Sequence, residues 1–152
     1  MANTQAMCTS FMEQLLTGTH NFTPSTGDTF KAALYLASAT VNAATTAYSS
    51  TGEVTGTNYT AGGVAVTNGT APASTNSSAT AGVAYWTPSA SITYTNVTLT
   101  TAFDAVLIYN SSKSDKAVSV HTFGSQTVTA GTFTLTMPTN NTTNALLRLA
   151  TT

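Results

Sequence analysis

The period of the apolar positions changes near residue 29. Before it, Met7, Phe11 and Leu15 recur every fourth residue, with Cys8, Met12 and Leu16 beside them. That spacing lays a wide apolar stripe along one side of a helix and predicts α-structure over residues 3–16. Asn3 or Thr4 can cap its start and Gly18 can end it. Residues 20–28 (HNFTPSTGD) read as a connection built from turn formers.

After residue 29 the period is two. Phe30, Ala32, Leu34 and Leu36 alternate with Lys31, Ala33 and Tyr35, which predicts a first strand. Residues 37–48 are rich in Ala and Thr and leave a short helix from Asn42 open. Residues 52–63 (GEVTGTNYTAGG) carry four glycines and predict a sharply turning, structured loop. A short strand follows at 64–67, then a polar, low-complexity surface loop at 68–81.

Strands dominate the second half. Residues 83–86 stop at Pro88, and 91–99 change phase near Asn96, which predicts a bulge. The run AVLIY at 105–109 is continuously apolar and should be the most buried strand. A polar hairpin at 110–115 leads into 117–123. Strands at 127–129 and 132–137 flank Ala130-Gly131 as a tight turn, and 145–149 close the chain. About eight short strands divided by turn signals predict a mainly β fold, an antiparallel β-sandwich or jelly roll with a short N-terminal α-helix. The expected division is an N-terminal helix and linker arm at 1–28 and a β-sandwich domain at 29–152.

Composition sharpens this picture. Of 152 residues only 6% are charged, while Thr supplies 35 positions. The polar half of the surface is thus hydroxyl and amide, and β-branched Thr suits a pleated, half-exposed strand. A net charge of −1 gives little repulsion between copies. Lys31, Lys113, Lys116 and Arg148 are scattered, so phosphate neutralisation along a nucleic acid has no basic stripe to use. Cys8 is alone, which excludes an internal disulfide and a cysteine zinc site. The first ten residues lack the basic and apolar regions of a secretory signal, and no apolar run approaches the roughly 20 residues of a membrane helix.

Candidate chemistry is sparse. The titratable groups are Glu13, Asp28, Glu53, Asp104, Asp115, His20 and His121. A serine triad using His121 and Asp104 has no G-x-S-x-G elbow behind it. No metal-ligand spacing, phosphate cradle or pair of glycosidase carboxylates stands out. Catalytic, cofactor-binding and metal residues are therefore expected to be absent. Rows of T-x-T at Thr93, Thr127 and Thr132 could order water at an ice face, but they lack the repeat that would hold them in register.

Five segments carry a family resemblance: TQAMCTSFMEQLL, DTFKAALYLASA, TTAYSSTGEVTGTNYTAGG, FDAVLIYNSS, and the pair AVSVHTFG and TVTAGTFTLTMP. Together they resemble small tailed-bacteriophage virion structural proteins, and the motif around Glu53, Tyr59, Gly62 and Gly63 is the most specific part. The resemblance implies a capsid cement or decoration protein. Such a protein binds the outer surface of the major capsid protein shell and copies of itself, without nucleic acid, membrane or cofactor. It would be made in the host cytoplasm and reside on the capsid surface. The alternative is a tail or fibre component, an adaptor or a glycan-binding module using Tyr85 and Trp86. Met7, Phe11, Leu15, Tyr59, Tyr85 and Trp86 are the interface candidates, because large apolar and aromatic side chains dominate protein contacts.

Overall fold

A computed structural model describes residues 2–75 and 82–151. The fold is mainly β, with two antiparallel sheets and one short helix, as expected of a β-sandwich. In chain order the elements are β1 (Ala6–Met7), α1 (Thr9–Leu16), β2 (Phe30–Leu36), β3 (Val64–Val66), β4 (Ala73–Ser74), β5 (Val83–Trp86), β6 (Ile92–Asn110), β7 (Lys116–Leu135) and β8 (Leu147–Ala150). The larger sheet runs β1-β7-β6-β2-β3 and the smaller β4-β5-β8.

The helix is shorter than its apolar spacing predicts. Residues 6 and 7 instead pair with Val120 and Ser119 of β7, and the Cys8 amide donates to the Val118 carbonyl. A free sheet edge satisfies these backbone groups before a helix can, so tertiary pairing overrides local propensity. Asn3 caps no helix. Its amide donates to Leu36 O and Asp104 Oδ1 at 2.9 and 2.6 Å and accepts from the Val41 amide, pinning the first residues to the body.

The three strands expected over 91–123, together with those at 127–129 and 132–137, merge into one long hairpin, β6 and β7, closed by the polar turn at 111–115. Pairing continues past the phase changes because bulges absorb the extra residues. One lies between Tyr94 and Val97, where Asn96 has φ of 52°. Ala130-Gly131 is also a bulge and not a turn: Ala130 has φ of 46°, Gly131 opposes Val97, and β7 runs on to Leu135. No helix forms from Asn42. The stretch 37–48 turns, then forms a bridge between Ala47 and Lys116. In the predicted surface loop at 68–81, residues 73–74 form β4 and 76–81 lie outside the described residues.

Residues 105–109 of β6 are all buried, as their unbroken apolar run predicts. β2 is buried nearly throughout, not on alternate residues, because both its faces are covered. Over one face lie Phe22 and Trp86, with Phe22 stacked on Phe30 at 4.4 Å. Over the other lies the connection to β3, where Tyr48 stacks on Tyr109 at 4.8 Å. Residues 2–28 contribute Cys8, Phe11 and Phe22 to the same core.

Candidate functional site

Five of the six candidate contact residues line one groove. Met7 comes from β1, Phe11 and Leu15 from α1, and Tyr85 and Trp86 from β5. Phe22, Leu147 and Leu149 complete its walls, which enclose about 170 Å³ between the helix and the smaller sheet. Phe11 and Leu15 share a helix side because four residues make about one turn. Trp86 opposes Leu147, and Ala84 opposes Leu149, so the register of β5 and β8 puts these side chains on one side of the smaller sheet. Phe11 and Trp86 form the floor, at 2% and 3% exposure, while Met7, Leu15 and Tyr85 are half-buried.

The rim is apolar too. Leu149 of the wall is exposed, and so are Met12 and Leu16, which follow Phe11 and Leu15 in α1, with Leu16 at 90%. Leu147 and Leu149 escaped the candidate set. Their signal was the alternation Leu147, Arg148, Leu149 in the last strand, which places both leucines on one face.

Trp86 has no free edge for an aromatic platform. Its indole N–H is shared between Asn68 Oδ1 and Thr70 O, both at 3.1 Å, and its ring packs against Phe22. An exposed Tyr85–Trp86 sugar-stacking surface is therefore not what the fold presents.

Tyr59 lies away from the groove, in a buried cluster around Glu53. The Glu53 carboxylate is 5% exposed. Its Oε1 accepts from the Tyr59 hydroxyl and from the Gly62 amide, both at 2.8 Å, and its Oε2 accepts from the Tyr48 hydroxyl at 2.6 Å. Tyr59 Oη accepts in turn from the Leu34 amide, while the Val54 amide donates to the Leu34 carbonyl. This loop thereby closes the edge of β2 where β3 ends. Gly63 has φ of 71°, and a β-carbon there would overlap the Ala32 carbonyl oxygen. The quartet Glu53, Tyr59, Gly62 and Gly63 is thus one structural pin. Burial, and then the neighbouring carboxylate, push the Tyr59 and Tyr48 hydroxyls well above the ordinary tyrosine range.

His121 and Asp104, the groups a serine triad would need, do not converge. His121 Nε2 lies 2.9 Å from Ser119 Oγ, two positions away on the same face of β7. Asp104 is engaged elsewhere, accepting from Asn3. No hydrogen bond joins Asp104 to His121 among the described residues, so the paper triad does not assemble. Burial lowers the His121 ring to about 4 and raises the Cys8 thiol to about 11. Among the described residues no three His, Cys, Asp or Glu side chains are grouped to hold a metal ion. No helix among them is long and apolar enough to cross a membrane.

No protein-family model matches the chain, and neither a curated protein nor a solved structure matches it.

Proposed function

We propose that this chain is a non-enzymatic structural protein of a tailed-phage virion, a capsid cement that binds the outer surface of the major capsid protein shell and neighbouring copies of itself. One observation carries the docking part: the apolar groove between α1 and the smaller sheet, with Leu149 exposed in its wall and Met12 and Leu16 exposed on the same helix that supplies Phe11 and Leu15. Large exposed apolar side chains clustered at a concave site favour a protein partner, since burying each one contributes about 1.5–3 kcal/mol. The nearly uncharged surface adds adhesion without repulsion, and few ion pairs are available to make binding salt-sensitive. The capsid address comes from the segment resemblance. The pinned Glu53 loop is consistent with it, because the most specific part of that resemblance is a folding device.

Quantitative mass spectrometry of purified virions tests the reading. The protein should be present at a copy number comparable to the major capsid protein, and Leu149→Asp should fold normally yet be lost from particles. A handful of copies per virion, or full incorporation of the variant, overturns the proposal.

A further inference from the structure

His20 sits at 9% exposure on the connection between α1 and β2, its ring 4.9 Å from that of Phe11. Both ring nitrogens are engaged. Nε2 lies 2.7 Å from Gln14 Oε1 on the helix, and Nδ1 lies 2.9 Å from Asn110 Nδ2 at the end of β6. Asn110 is fully buried, and its Oδ1 accepts from the Ser112 amide and hydroxyl. Its nitrogen therefore points at His20 and, at 2.8 Å, at Asp28 Oδ2. Asp28 also accepts from the Asn21 amide and pairs with Lys113 at 3.6 Å.

These directions leave one proton arrangement. An amide nitrogen donates only, so Nδ1 must accept, and the ring proton sits on Nε2 facing the Gln14 carbonyl. A second proton on Nδ1 would set N–H against N–H. Turning the Asn110 amide would not help, because it sets its nitrogen against the Ser112 amide and points an oxygen at the Asp28 carboxylate. The charged groups facing the ring are Asp28, which favours protonation, and Lys116 and Lys113, which oppose it.

We propose that His20 is an acid-sensitive latch: neutral, it clips α1 and the following connection to the β6–β7 turn, and its protonation releases residues 9–28 while the two sheets stay folded. Burial outweighs the Asp28 attraction and holds the ring below its ordinary value, so the folded protein resists the proton until the latch opens. β1 and the Asn3 contacts anchor the chain upstream of the helix, and β2 anchors it downstream, so release is local. Because α1 supplies Phe11 and Leu15, opening removes one wall of the groove. That consequence rests on the docking reading, whereas the latch itself does not.

Amide hydrogen exchange on the intact protein at about pH 7.5 and about pH 5.5, corrected for intrinsic rates, tests it. Protection over 9–28 should fall roughly tenfold or more on acidification, while 105–109 in β6 keep theirs. The step should follow the NMR titration of the His20 ring in the unmodified protein. It should vanish in His20→Gln, which cannot take the proton, and persist in His121→Gln. Unchanged protection at the lower pH, loss in helix and sheets together, a step out of register with the ring titration, or a step surviving in His20→Gln overturns the latch. A latch that opens as expected while virion incorporation ignores pH would leave it standing and count against the docking reading.

Discussion

Glu53 Oε1 stands 2.8 Å from the Tyr59 hydroxyl, inside the protein, and among the described residues no cation hydrogen-bonds the carboxylate. The charge is held by three donors, and those donors belong to the loop that closes the edge of β2. Removing the carboxylate should therefore act through the donors it leaves behind. Glu53→Ala strands two hydroxyls and the Gly62 amide and should cost roughly 3–5 kcal/mol. Glu53→Gln keeps one acceptor, and the Tyr48 hydroxyl can turn to accept from the new amide, so its cost should be about 1–2 kcal/mol. Urea unfolding followed by near-ultraviolet circular dichroism separates the two. Equal stability of Glu53→Ala and the parent protein would refute the pin.

Gly63 and Gly18 share a left-handed backbone, φ of 71° and 67°, but not a setting. A β-carbon at Gly63 would meet the Ala32 backbone oxygen, whereas at Gly18 nothing lies within 4 Å. Gly18→Ala should lose about 1 kcal/mol, the strain of the backbone alone. Gly63→Ala adds overlap with an atom of β2 that cannot move aside, and should lose more than about 3 kcal/mol. Comparing the two denaturation midpoints isolates the steric part, and equal losses would dismiss it.

His121 makes stability depend on pH with a definite sign. Its ring is lowered to about 4 in the folded chain, against an ordinary value of 6.5. Between those limits the unfolded chain binds the proton and the folded one does not, so stability falls as pH drops through that window and is unaffected above it. The loss reaches at most about 3 kcal/mol, less to the extent that water reaches the ring. Unfolding free energies at neutral pH and near pH 5 should converge in His121→Gln relative to the parent, with a remainder from His20. An unchanged pH slope in the variant would contradict the assignment.

Much of the fold was legible because its signals were local. Residues 83–86 form β5 as the run before Pro88 predicts, residues 105–109 are the buried centre, and the polar hairpin falls where the charges and serines cluster. What misled was pairing between distant parts. Ala6 and Met7 fit a helical stripe, yet the edge of β7 claims them. Ala130-Gly131 has turn chemistry, but β6 continues opposite it and turns the pair into a bulge. Tyr59 looked like a contact aromatic because nothing local shows that Glu53 binds its hydroxyl. The groove was half legible: the helix stripe and Tyr85–Trp86 were each visible in the sequence, while their meeting depends on how the smaller sheet sits beside α1.

The pairing of β1 with β7 also sets an order of events during synthesis. Ala6 must wait for Val120, more than a hundred residues later in the chain. At roughly 5–20 residues per second that delay is on the order of ten seconds. The β6–β7 hairpin has its two arms side by side in sequence and can close within about 1–10 μs of emerging. β1 is thus made before its partner strand and is among the last elements to find its place, and the apolar stripe that follows it in α1 spends that interval uncovered.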